Sequence, residues 1–461
     1  MSDILSSTIK EAVYNLCFKA NVSLNASVYN KISSAYKNCE NAETKEILSA
    51  ILQNAQIAYE KKRPLCQDTG QVLVFLEIGQ DVHIKGSFIE TAINEAVAEC
   101  YKDNFFRKSV VKDAAFERVN TTNNTPAIIY TKYIEGNDIY INVLVKGGGS
   151  ENKSLTKMLL PTMTRGEIIS SVGEMILSAG VNACPPMFVG IGLGGTLDKA
   201  AIVSKEVFFK NDFSKDETAL AEEIKNYVNT KAPDKYRNCY VLDIKLSSIP
   251  THIACLPVAV TINCHSDRVS KCTIRNGNIE YYHKMPEFIK SKDENTQIKE
   301  INAQDIATVR SLKEGENVLL TGEIYVARDM AHKKLKEMLD NNAKLPFEIK
   351  DKIIFYAGPC PAKQNEVIGS IGPTTASRMD KYAAEFYNLG LLATIAKGNR
   401  NETVKKTIKQ NRAKYFTVIG GIAALLADKV KKCEIVAFEE LGAEALYKLY
   451  IEKFPVKVEI G

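Results

Sequence analysis

A thiol, an amide, a carboxylate and a hydroxyl follow one another at Cys66-Gln67-Asp68-Thr69, closed by Gly70. Cys66 offers a soft thiolate ligand. Gln67 and Asp68 offer directional hydrogen bonds and proton chemistry, and Gly70 lets the backbone turn. A helical pattern stands before the segment and ends at Pro64, because proline disfavours helix in the residue before it. An apolar, strand-like run over 72–78 follows. A reactive loop between a helical layer and a strand is the expectation.

Two further cysteines extend the argument. Cys184 lies in Ala183-Cys184-Pro185-Pro186, and Cys264 closes an apolar run, as a ligand pointing off a strand end would. Three thiolates on a [4Fe–4S] cube would leave one iron open as a Lewis acid. The chain has 11 cysteines, an odd number that pairs badly, so most are expected to be small buried hydrophobes in a reducing compartment. Cys255, Cys272 and Cys360 lie near motifs and are read as structural. No two cysteines have CxxC spacing, which argues against a zinc ribbon or a ferredoxin-type loop. Isolated ligands on three loops suit a cluster held in a rigid fold. Many sets of three can be drawn from 11, so spacing leaves open a zinc module or a non-catalytic iron–sulfur redox protein.

The elements that must position these residues read in order. Residues 3–61 carry helical spacing, for example Ile9, Val13, Leu16, Cys17 and Ala20. Another helix is expected at 87–102. Two strand-like runs, 127–133 and 139–146, flank Gly136-Asn137-Asp138 and predict a hairpin. The second run leads into Gly147-Gly148-Gly149, whose backbone N–H groups could approach an anion or form a plain turn. A helix is expected at 165–180. Gly190-x-Gly192-x-Gly194-Gly195 fits a dinucleotide fingerprint poorly, and close packing of a strand on a following helix explains it better. Residues 284–299 are polar and weakly periodic, which suits a linker between domains 1–283 and 300–461. The second domain alternates strands (318–320, 353–356, 391–396, 415–419, 434–438, 456–460) with helices (381–388, 402–411, 420–430, 443–452). Such alternation predicts an α/β layer structure.

Several stretches together resemble the class I, iron–sulfur-dependent fumarate hydratases and the related tartrate dehydratases, essentially end to end. They are CQDTG, FFRKSVV, KGGGSENKS, ACPP with GIGLGGT, and THIACLPVAVTINC in the first half. In the second half they are LLTGEIYVARDMAHKKL, YAGPCPAKQNEVIGSIGPTTASRMD, AKGNR and FEELGAEALYKLYIEKFPVKV. The resemblance implies an α/β chain: a mixed α+β domain and a swivelling-type layered domain, fused where many relatives have separate subunits. It implies a hydro-lyase that hydrates fumarate to (S)-malate in the tricarboxylic acid cycle, with tartrate or another C4 diacid as the alternative. Cys66, Cys184 and Cys264 would ligate a [4Fe–4S] cluster. Gln67, Arg107, Gly149, Arg328, Arg378 and Lys397 would bind substrate. Thr374 is placed as the base, with Asp68 or Lys397 to activate it, and His252 near the site; the competing readings are a Thr374 that only hydrogen-bonds a carboxylate and a buried, hydrogen-bonded His252. Arginine forks match the two carboxylates of a four-carbon diacid. These cations come from both domains, so the expected site lies between domains and is open to sharing in a homodimer.

Composition agrees with a globular enzyme. Lys+Arg number 60 and Asp+Glu 55, a net charge of +5 that is too even for a nucleic-acid surface. The first residues lack a basic region followed by an apolar core, and no apolar run reaches the ~18 residues a membrane span needs. A cytoplasmic protein without membrane or nucleic-acid partners is the expectation.

Overall fold

The computed structural model describes residues 2–180, 183–289 and 298–461. The chain divides into two compact units. The first comprises Met1–Lys62 and Asp68–Ile289; the second comprises Arg63–Gln67 and Lys290–Gly461. Residues 290–297 of the expected linker lie outside the described residues. No described helix is long and apolar enough to cross a membrane.

The first unit opens with β1 (Ser2–Leu5) and the helices α1 (Ser6–Val22), α2 (Ala26–Asn38) and α3 (Ala42–Glu60). Then come β2 (Gln71–Gly79), β3 (Val82–Lys85), α4 (Ile89–Asp103), β4 (Ile128–Ile134) and β5 (Ile139–Lys146). The chain continues through the short α5 (Gly148–Glu151), β6 (Leu155–Leu159), α6 (Arg165–Ser178), β7 (Met187–Gly194), α7 (Leu197–Glu206) and α8 (Lys215–Lys231). It closes with β8 (Val241–Ile249), β9 (Leu256–Asn263), β10 (Val269–Arg275) and β11 (Asn278–Tyr281).

One sheet has the order β11-β10-β5-β2-β4. The apolar stripe of α1, Ile9, Val13, Leu16 and Cys17, packs with Ile93, Val97 and Cys100 of α4 onto Val72, Val74 and Leu76 of β2. Each large aliphatic side chain buried this way contributes roughly 1.5–3 kcal/mol before entropy. Leu73 and Phe75 face the other way, against Tyr130 and Phe209. Because β2 is covered on both faces, it reads as a continuous apolar run.

The expected hairpin does not form. Its turn is present, but β2 lies between the two strands, parallel to β4 and antiparallel to β5. Gly79 N–H donates to Asp138 and Gln80 N–H to Ile134, so the turn residues pair with the end of β2. Local turn chemistry predicts a turn; which strands pair is decided by the apolar run that both can cover.

The second sheet has the order β6-β9-β7-β8. Here α7 lies on β7, and a Cβ at Gly190 or Gly192 would overlap the carbonyl of Ser204 or Ala200 on that helix. The glycines therefore serve helix-on-strand packing. Capping boxes, Thr164 with Glu167 and Ser214 with Glu217, start α6 and α8.

The second unit runs β12 (Lys299–Asn302), α9 (Ile306–Ser311), β13 (Asn317–Val326), α10 (Asp329–Asp340), β14 (Ile353–Phe355), α11 (Asp380–Asn388) and β15 (Ala393–Ala396). It continues α12 (Glu402–Gln410), β16 (Lys414–Thr417), α13 (Ala423–Asp428), β17 (Val430–Ala437) and β18 (Leu446–Ile460). Strands β12 to β16 are parallel neighbours in sequence order. The expected helix at 443–452 is not a helix. Those residues enter β18, which pairs antiparallel with β13, β16 and β17 and so closes the sheet on itself. Leu446, Leu449, Ile451 and Phe454 are buried there. The helix-forming residues of AEALYKLY are overruled by a partner strand on each side, which local propensity does not see.

Candidate active site

The unit boundary falls inside the reactive loop, between Gln67 and Asp68. Cys66 and Gln67 belong to the second unit. Arg63 anchors their segment there through Glu366 (2.8 Å) and Asp428 (2.6 Å). Ser370 donates to the Pro64 carbonyl at 2.6 Å, and Gln67 Nε2 donates to the Pro373 carbonyl at 3.3 Å. Gln67 Oε1 accepts from the Cys66 thiol at 3.3 Å. A Cβ at Gly372 would strike the Gln67 amide, so glycine there keeps room for it.

In the same unit the 372–378 loop, the end of β15 and the start of α10 bring Thr374 together with three of the expected substrate-binding residues, Arg328, Arg378 and Lys397. The Lys397 N–H donates to the Thr374 carbonyl at 3.1 Å, and Thr374 N–H donates to Tyr356 at 2.7 Å. Arg378 Nη1 reaches Thr374 Oγ1 at 3.3 Å. Its Nε and Nη2 hold Asp329 at 3.0 and 2.8 Å. Arg328 Nη2 pairs with Glu444 at 2.6 Å, and Glu444 also accepts from Met330 N–H at 2.9 Å. The frame behind them is buried. Arg400 donates to Asp380 (2.8 Å), Ala376 O (3.0 Å) and Thr394 (2.7 Å), with Tyr356 and Tyr415 against its guanidinium.

His332, fully buried in α10, bonds the Arg328 carbonyl through Nδ1 at 3.0 Å and packs edge-on to Tyr356. Burial pushes its pKa from 6.5 down to about 4. Between these values the unfolded chain binds a proton that the folded chain refuses. The stability it contributes is therefore complete above pH 6.5 and lost as pH falls toward 4, by up to about 3 kcal/mol. Urea unfolding of the wild type should show that slope between pH 7 and 5, and His332→Gln should flatten it.

In the first unit, Asp68 is the centre. Its carboxylate accepts from the N–H groups of Gly70 (3.1 Å) and Gly148 (2.8 Å) and lies 3.4 Å from Arg107 Nη2. Burial works to raise its pKa, but Arg107, Arg268 and the two N–H groups outweigh that and hold the carboxyl below its ordinary range. Asp68 is thus a fixed anion and an acceptor. Arg268 donates to the Asp68 carbonyl at 2.6 Å, and Thr69 donates to the Arg107 carbonyl at 2.6 Å. Gly70 has φ +68°, and a Cβ on it would overlap the Lys146 carbonyl. The triple-glycine stretch enters α5 with Gly148 N–H on Asp68, and Gly149 is exposed beside it.

Cys264 follows β9 directly, its Sγ 3.1 Å from Ser266 Oγ. Cys184 has φ +59° between α6 and β7. Cys66, Cys184 and Cys264 are all partly exposed and free of disulfides, whereas Cys17, Cys239 and Cys272 are buried and pushed up to about 12 by that burial. The three loop thiols therefore fit a soft metal group better than the buried ones do. Among the described residues no three His, Cys, Asp or Glu side chains are gathered for a single metal ion. His252 is exposed, not buried, with Nδ1 accepting from Ala254 N–H at 3.1 Å. It sits in the turn before β9 closed by Cys255 N–H on the His252 carbonyl, beside an exposed Ile253.

Sequence reasoning missed Arg268, Arg400, Asp329 and Glu444. The last three stand inside recognised motifs, but their roles depend on tertiary partners.

The family model described as "Fumarate hydratase (Fumerase)" matches residues 10–273, and "Fumarase C-terminus" matches 274–461. The chain belongs to the fumarate hydratase family. A class I fumarate hydratase of Escherichia coli K12, described as anaerobic, is 32% identical over 89% of this chain and 80% of its own length. "Fumarate hydratase 2" of Leishmania major is 31% identical over 90% of this chain and 78% of its own. A putative L(+)-tartrate dehydratase subunit alpha of Methanocaldococcus jannaschii is 34% identical over 56% of this chain and 95% of its own length. Membership makes this fumarase-family chain a hydro-lyase with an α/β fold.

Proposed function

We propose that the enzyme interconverts fumarate and (S)-malate. The observation that carries the reading is the guanidinium of Arg378, half exposed and joined to the Thr374 hydroxyl. A cation and a hydroxyl so placed match a carboxylate and the carbon next to it. Arg378, Arg328 and Lys397 bind the diacid, with Gln67, Arg107 and Gly149 assigned as further contacts. Thr374 removes the C3 proton of malate and returns it in the reverse direction. The charged donor on its oxygen favours the deprotonated form, so Arg378 joins Asp68 and Lys397 as a candidate activator. The same cations stabilise charge that develops on the carboxylate. Asp68 remains ionised and holds Arg107. His252, exposed in the turn before β9, is assigned near the site.

Cys66, Cys184 and Cys264 would hold a [4Fe–4S] cluster, which when bound supplies a Lewis acid for the departing hydroxyl. A cytoplasmic homodimer serving the tricarboxylic acid cycle is part of the same reading. The match to a putative tartrate dehydratase subunit favours L(+)-tartrate as the second reading. Anaerobic enzyme should dehydrate malate with a far higher kcat/KM than tartrate. The reverse ranking would replace the first reading by the second.

A further inference from the structure

We propose that Asp329 is a positioning residue that aims Arg378 at Thr374 and so governs how readily that hydroxyl gives up and regains its proton. The inference rests on the hydro-lyase reading above and adds a residue to it. Asp329 is the first residue of α10. Its Oδ1 accepts from Arg378 Nε at 3.0 Å and its Oδ2 lies 2.8 Å from Nη2, an ion-pair contact outside hydrogen-bond geometry, so the carboxylate sits along one edge of the guanidinium; Arg328 Nε stands 3.5 Å from the same Oδ2. That leaves Nη1, which lies 3.3 Å from Thr374 Oγ1. An arginine side chain half in solvent has many rotamers to lose; the hydrogen bond at Nε and the ion-pair contact at Nη2 restrict that freedom and favour one direction for the remaining donor.

Both ends of the pair are anchored. Glu444 fixes the start of α10 by accepting from Met330 N–H at 2.9 Å, and it takes the neighbouring Arg328 at 2.6 Å. The His332 ring bonds the Arg328 carbonyl from the buried side. At the other end, the turn carrying Arg378 is held by Arg400 through the Ala376 carbonyl and Asp380. An ion pair as exposed as Arg378–Asp329 adds little to stability. Its consequence is direction, and the direction is toward Thr374.

The test is Asp329→Asn in anaerobically reconstituted full-length enzyme, assayed with malate and with malate deuterated at C3. Asparagine keeps the size and loses the charge. The expected result is a kcat about 10²-fold lower, the scale of a small misplacement in an active site, with KM little changed. The deuterium effect on kcat should rise, because proton removal becomes slower than the other steps. Asp329→Glu, which restores the charge on a longer arm, should recover part of kcat. Thermal unfolding should be nearly unaltered. A kcat equal to wild type, a loss confined to KM, or an unchanged deuterium effect would overturn the proposal while leaving the hydro-lyase reading intact. A wild-type enzyme inactive on fumarate, malate and tartrate would overturn that reading, and this inference with it.

Discussion

Arg378→Leu is expected to lower kcat/KM for malate by about 10³-fold, the upper range for removing one donor from a charge-stabilising site. The guanidinium reaches both Asp329 and the Thr374 hydroxyl. Leucine would leave the substrate carboxylate without its fork, Thr374 without a charged donor, and Asp329 without one of its cations. Both kcat and KM should suffer, since the group serves binding and proton transfer together. Arg378→Lys should recover only part of the loss, because an ammonium is a point charge and cannot hold Asp329 with one edge while pointing a nitrogen at Thr374. Steady-state assays under anaerobic conditions decide it. A loss below about tenfold, the worth of one ordinary hydrogen bond, would remove Arg378 from the central role given to it.

Cys264→Ser is expected to be more severe. Cys264 stands at the exit of β9, partly exposed, where a thiolate can leave the sheet and meet a metal group. Serine keeps the shape and removes the soft donor. Iron and labile sulfide per chain should fall sharply, and dehydratase activity should fall by at least about 10³-fold, as for removing an essential Lewis acid. Cys255→Ser, in the turn before the same strand, should retain both. Wild-type activity should decay in air and return with iron and reductant. Full iron content in Cys264→Ser, or wild-type activity that survives prolonged aeration and chelation, would contradict the cluster assignment.

The legible parts of the fold were those where one face of one element meets the core. The stripe Ile9, Val13, Leu16, Cys17 announces α1 because all four are buried on one side. The glycines of β7 announce close packing because α7 presses its carbonyls onto them. What remained hidden depended on distant partners. Residues 443–452 have helix-forming composition, yet Leu446, Leu449 and Ile451 are buried as part of a strand shared among β13, β16 and β17. The hairpin at Gly136 failed for the same reason, since β2, distant in sequence, lies between β4 and β5 and pairs with both.

The site divides the same way. Motifs mark Asp68, Thr374 and Arg378, whose types carry chemistry. They do not mark Arg268, which bonds the Asp68 carbonyl and Asn21, and although Arg400 stands in AKGNR nothing there shows its buried contacts with Asp380, Ala376 and Thr394. Nor does the sequence reveal that CQDTG is parted between two units after Gln67. That position shows only when the partners of Arg63, Pro64 and Gln67 are known.

In the proposed reaction, substrate meets an iron left open by three thiolates. Low-temperature magnetic spectroscopy of anaerobic, iron-57-enriched enzyme, recorded with and without saturating malate, tests it most directly. The account predicts that malate changes the signature of one iron and leaves the others in place. A spectrum identical in the two samples, from enzyme that is turning malate over, would contradict it.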